Sequence, residues 1–163
     1  QEATSSENMD KDTTNYVYNA ASKTLDITLD GVNMTYPVTA QQLKSNGYTY
    51  MAQASQPYSQ ALMTSYVNST GTKVALTITL SDTPQDEVKC SQMQINFSDK
   101  TQFLGLNNKS DIETVRSVFA SADKEDVTDF NESTKTGSII YGMQTINVTV
   151  SMKNGIVSSV TIS

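Results

Sequence analysis

Thr145-Ile146-Asn147-Val148-Thr149-Val150-Ser151-Met152 places an apolar residue at every even number, the period of a β-strand with one buried face. Lys153-Asn154-Gly155 interrupts the pattern, and Ile156, Val160 and Ile162 then keep to even numbers. One apolar face requires even residues opposite even ones, which an odd loop supplies. We therefore predict a three-residue loop with Gly155 in the left-handed position of a G1 bulge. A two-residue Asn-Gly turn would set Met152 against Val157 and Val150 against Ser159.

A second hairpin lies upstream, where Leu25-Asp26-Ile27-Thr28-Leu29 meets Val32-Asn33-Met34-Thr35-Tyr36 across Asp30-Gly31. Apolar residues are odd before this turn and even after it. A two-residue type I′ turn then aligns Leu29 with Val32, Ile27 with Met34 and Leu25 with Tyr36.

Two helix starts follow the capping-box spacing, Thr39 with Gln42 and Ser110 with Glu113. Ile112, Val115, Phe119 and Ala122 give the second helix an apolar stripe. The stretch from Tyr48 to Tyr58 has no sustained period and reads as a loop or ragged strand. Val74, Leu76, Ile78 and Leu80 alternate cleanly, as do Met93, Ile95 and Phe97; Gln102 to Leu106 reads as a further strand and Asp123 to Thr136 as a charged connection.

The two capping boxes, and the alternating strands that follow them, recur about 70 residues apart, which suggests a duplicated unit. The expected fold is α+β: two tandem units, each a short helix with an antiparallel meander, containing two short helices and about seven to nine strands. The expected divisions are a flexible tether over 1–15, a first unit over 16–98 and a second over 99–163, packed together or sharing a sheet.

Phe103-Leu104-Gly105-Leu106, Ser110 to Val115 and the strands ending in Asn154 to Val160 resemble the helix-then-meander module of β-lactamase-inhibitor-like proteins and small outer-membrane assembly lipoproteins. Asp30-Gly31-Val32, Tyr36-Pro37-Val38-Thr39 and Leu43 to Tyr48 are similar to exported Gram-positive lipoproteins of unknown function from gut bacteria. The resemblance implies export and a bacterial cell-surface location. It departs at the module's Gly and Pro after the helix, which Ala120 to Lys124 lacks, and at the inhibitor proteins' disulfides.

Composition narrows the chemistry. Net charge is -6, which opposes binding to nucleic acid or an anionic membrane. With no histidine and one cysteine, Ser-His-Asp or Cys-His catalysis, a Cys/His zinc site and an intrachain disulfide are all excluded. Cys90 reads as a half-buried small apolar residue. Hydrophobic residues make up 37% of the chain and Ser plus Thr about a quarter, which suits sheets with one wet face. Gln1 to Asn15 is polar and acidic, the composition of a solvated tether behind a trimmed export signal; membrane attachment is then expected only through a lipid anchor upstream of residue 1.

The binding candidates are Tyr48, Tyr50 and Tyr58, an aromatic cluster outside the clear strand patterns. Asp123, Glu125, Asp126 and Asp129 are weak calcium candidates, because the EF-hand glycine position is occupied by Thr128, so no metal and no cofactor is expected. Tryptophan is absent and most acids fall in turns, so we expect no enzyme. The expectation is a secreted or surface-anchored, non-enzymatic domain that binds a macromolecule, either a protein or a cell-wall glycan. The alternative is a small-molecule or glycan-binding lipoprotein.

Overall fold

A computed structural model describes residues 16–55 and 60–163; the expected tether at 1–15 and Tyr58 lie outside them. The first of the described residues form a three-stranded antiparallel sheet, β1 (Val17–Asn19), β2 (Thr24–Leu29) and β3 (Val32–Tyr36). Its central hairpin has the register expected from the odd-to-even switch, with Leu29 opposite Val32, Ile27 opposite Met34 and Leu25 opposite Tyr36. Asp30 and Gly31 take the two positive φ angles of 52° and 80°, which the Asp-Gly pair tolerates at low cost.

Among the described residues the second sheet has nine strands. Its path runs β4 (Thr49–Ser55), β5 (Ala61–Val67), β6 (Lys73–Thr79), β7 (Gln92–Asn96), β12 (Ile156–Ile162), β11 (Ile146–Lys153), β10 (Thr136–Met143) and β8 (Lys124–Asp126), with β9 (Phe130–Asn131) also on β10. Strands on either side of the expected boundary at residue 98 thus meet within one sheet, where β7 pairs β12.

The terminal hairpin corrects the loop prediction. Asn154 and Gly155 form a two-residue turn with φ of 52° and 88°, and Met152 does face Val157. Yet Val150 faces Val160 and Val148 faces Ile162, because a register shift between Ser151 and Met152 places the extra residue at Ser158. The chain keeps the favoured turn and restores the buried face two residues later with a bulge. Ile156 is exposed as a result, and Val157 is buried in its place.

Helix α1 (Ala40–Ser45) begins with the expected capping box, in which the Thr39 Oγ1 accepts the Gln42 amide and the Thr39 amide donates to Gln42 Oε1. Helix α2 (Ile112–Val118) starts one residue later than expected: Asp111 caps it by accepting the Thr114 amide, while Ser110 Oγ accepts the Asn107 amide in the preceding turn. Ala40, Leu43, Ile112, Val115 and Val118 are buried in one continuous core with the inward residues of both sheets.

The α+β expectation of two helix-plus-meander units is overturned. Among the described residues the molecule is mostly antiparallel sheet, 49% strand against 11% helix, with 12 strands in two sheets and two helices of at most seven residues. The helices are patches on a β core. β1 to β3 form a separate sheet, and the charged connection after α2 contributes two further short strands, β8 and β9. The stretch from Gln102 to Leu106, expected as a strand, is a turn: Leu104 and Gly105 have φ of 52° and 84°, and Phe103 and Leu106 bridge across it.

Candidate interaction surface

The faces of the nine-stranded sheet differ because strand residues alternate. On the inner face Tyr66, Leu76, Ile95, Val160, Val150 and Ile139 are buried. On the other, a row of residues in register crosses eight strands: Ala52, Ser65, Ala75, Gln94, Thr161, Thr149, Ile140 and Asp126. A second row runs through Thr49, Val67, Lys73, Asn96, Ser159, Ser151 and Ser138. Apart from Ala75, which is too small to reach past its neighbours, these residues keep partial or full exposure. At ~4.8 Å per strand the face is roughly 34 Å wide. The two rows carry one acid, Asp126, and one base, Lys73, in a chain of net charge -6. The two rows offer hydroxyls and amides, and Lys124 and Lys153, on the same side of β8 and β11, add positive charge to the face.

Three turns meet at one end of the molecule around Asp30. Its Oδ2 accepts bonds from Asn68 Nδ2 (2.7 Å), Thr70 Oγ1 (2.9 Å) and Thr72 Oγ1 (2.6 Å), and its Oδ1 accepts the Gln102 amide (2.8 Å). The Asp30 amide in turn donates to the Gln102 carbonyl. Burial opposes the carboxylate charge, but donation by Thr72, Gln102, Asn68 and Thr70 outweighs it and holds the carboxyl below its ordinary value. This network joins the β2–β3 turn to the β5–β6 turn and to the segment after β7, so it fixes how the small sheet lies against the large one.

An open groove of about 610 Å³ lies on the small sheet, lined by Val17, Asp26, Thr28, Asn33, Thr35 and Gln42 among others. Its polar groups bond across the strands, Thr28 Oγ1 to Asn33 Oδ1 (2.8 Å) and Thr35 Oγ1 to Asp26 Oδ1 (2.7 Å).

The expected tyrosine cluster divides. Tyr48 is 4% exposed; burial, followed by the nearby Asp30 charge, pushes its hydroxyl up to about 12, and it belongs to the core. Tyr50 is 47% exposed on β4, with its ring edge-on to buried Tyr66 at 5.9 Å. Met51 beside it, also 47% exposed, was not singled out from the sequence and sits at an irregularity where the β4 register shifts between Tyr50 and Ala52. An apolar side chain in a stretch without period was the available signal.

The four acids weighed for calcium take separate partners. Asp123 Oδ2 accepts the Gln144 amide, Glu125 Oε2 accepts Tyr141 Oη at 2.7 Å and Arg116 Nε at 3.3 Å, and Asp126 Oδ1 accepts the Thr128 amide. Asp129 offers its backbone carbonyl to the Ser138 amide. Among the described residues no three His, Cys, Asp or Glu side chains come together in a way that could hold a metal ion. Cys90 is buried rather than half-buried, and burial pushes its thiol up to about 11. Among the described residues no helix is long and apolar enough to cross a membrane. No protein-family model matches the chain, and no curated protein and no solved structure matches it.

Proposed function

We propose that this chain is an exported or surface-anchored, non-enzymatic domain that binds another macromolecule, a protein or a cell-wall polymer, through the open face of its nine-stranded sheet. The observation that carries this reading is the eight-strand row from Ala52 to Asp126. A face about 34 Å wide and about 20 Å along the strands offers roughly 700 Å², close to one partner's share of a standard interface. Its Ser, Thr, Asn and Gln side chains present donors and acceptors together, which suits polar recognition of a surface rich in hydroxyl and amide groups.

The test is retention of surface-protein and cell-wall fractions on the immobilised chain and on a Thr149→Lys, Thr161→Lys, Gln94→Lys variant. The expected result is a partner held by the parent chain and lost by the variant at equal melting temperature. Equal retention by both would overturn the reading. The groove over Asp26, Thr28, Asn33 and Thr35 favours a second reading, a glycan binder, since carboxylate, amide and hydroxyl groups match sugar hydroxyls. Calorimetry with defined oligosaccharides against Asp26→Ala separates the two.

A further inference from the structure

We infer that β4 is a strand-pairing edge whose occupant is β4 of a second copy of this chain. Among the described residues nothing pairs with the outer side of β4, which is the first strand in the sheet path. All seven of its residues are exposed. Neither Thr49–Ser55 nor the adjoining Ala61–Val67 contains a charged side chain. An edge of this kind is a template for another strand unless charge, proline or shortness blocks it. The irregularity at Met51 bends only the first part of β4 and leaves Ala52 to Ser55 in continuous register with β5.

A second copy satisfies the chemistry that the edge presents. A two-fold axis perpendicular to the sheet pairs antiparallel strands so that one residue faces its own equivalent, and side chains stay on their own faces. Centred on Gln53, within the stretch of continuous register, the pairing sets Gln53 against Gln53 and Ala52 against Ala54. Every pair is uncharged, and small residues oppose one another on the open face, where Ala52 and Ala54 sit beside Ser65 and Met63. The chain's net charge of -6 would push copies apart, but β4 and β5 carry none of it, and Asp86, next to the Gln85 that bonds Gln53, is paired with Lys44 at 3.0 Å. The product is one continuous sheet across both copies. A single strand from each copy buries less than the ~1,200 Å² of a standard interface, which places this dimer in the weak, concentration-dependent class.

Sedimentation velocity from about 10 µM to about 1 mM spans the affinities expected for such a contact. The parent chain is expected to shift from monomer to dimer over this range. Ala52→Lys with Ala54→Lys, on the solvent face, is expected to weaken association at least tenfold with an unchanged melting temperature. Register is read independently by oxidation. Gln53→Cys, which faces itself across the axis, is expected to form a disulfide-linked dimer, and Ala54→Cys, offset by two residues from its equivalent, to stay monomeric. A parent chain that is monomeric throughout, a double-lysine variant that associates as the parent does, or equal cross-linking at residues 53 and 54 would each overturn the proposal.

Discussion

The two margins of the nine-stranded sheet are finished in opposite ways. At one margin β8 is three residues long and reads Lys124-Glu125-Asp126. Arg116 reaches from α2 to Glu125 at 3.3 Å and to Glu132 at 3.7 Å, and Tyr141 donates to Glu125. At the other margin β4 is seven residues long, uncharged and exposed throughout. Shortness and charge are the usual means of stopping a strand from pairing with another chain, and one margin has both while the other has neither. The difference teaches that the open margin is not a general consequence of the fold, since the same sheet closes its other side.

The most disruptive change is expected at the guarded margin. Gly137 has φ 130°, and a Cβ there would overlap the Asp129 carbonyl oxygen and crowd the backbone of Phe130. Gly137→Ala must therefore separate β9 from β10, and the backbone strain plus lost pairing should cost about 3 kcal/mol or more. Chemical denaturation would measure it. A cost below about 1 kcal/mol would mean that β9 contributes nothing to closing this margin.

Next comes Asp30, which ties the small sheet to the turns of β5–β6 on the open side. Asp30→Ala removes the acceptor of four bonds, from Asn68, Thr70, Thr72 and the Gln102 amide, although Thr70 keeps Asn68 and Thr72 keeps Thr101 as a partner. Hydrogen bonds to a charged group and the left-handed backbone together put the loss at about 3 kcal/mol. The pH dependence has a definite sign. The carboxyl titrates lower in the folded chain than in the unfolded one, so its contribution is complete above the unfolded value near 3.9 and is lost as pH falls through the folded value. Asp30→Asn should flatten that part of the acid limb.

These elements were unequally legible in the sequence, for a physical reason. Alternation is visible only when one face of a strand is buried, so β2, β3, β6, β7 and β11 were readable from Leu25, Met34, Leu76, Ile95 and Val150. β4 buries neither face, and Thr49 to Ser55 therefore carries no period. β8 was masked by its charges, and β1, exposed at Val17 and Asn19, was not seen at all. The terminal hairpin failed differently: parity fixed which residues had to meet, but a bulge at Ser158 meets that demand as well as an odd loop does. Of the tyrosine candidates, Tyr50 is exposed on β4 and Tyr48 is buried, because the three residues between the end of α1 and β4 can place a ring on either side of the surface. The open face was implied by Thr149 and Ser151, but its width depends on strand order, which local pattern does not contain.

A smaller effect is expected from Tyr141. Its ring stacks on Phe119 at 4.7 Å, and burial first, then its bond to Glu125 and that group's charge, raise its phenol above the ordinary value. Burial raises Tyr36 and Tyr48 as well. All three ionise later in the folded chain than in the unfolded one, whose tyrosines titrate near pH 10. Above that pH the unfolded chain has lost protons that the folded chain keeps, so stability is complete below about pH 10 and declines as pH rises beyond it. Tyr141→Phe should cost about 1 kcal/mol at neutral pH and make the alkaline decline shallower, as a pair of melting curves at pH 7 and above 10 would show.

The smallest effect belongs to Arg116, although it is the centre of the guarded margin's charges. Its side chain and that of Glu125 are 38% and 35% exposed, and Glu132 is more so, leaving water and salt to screen both pairs. Arg116→Ala should therefore change stability by no more than about 0.5 kcal/mol, with the remainder vanishing in high salt. A loss above about 1.5 kcal/mol would make the arginine a structural support and remove it from the comparison. A small loss keeps it as a guard, because a charged edge acts on what approaches it, at almost no consequence for the fold that carries it.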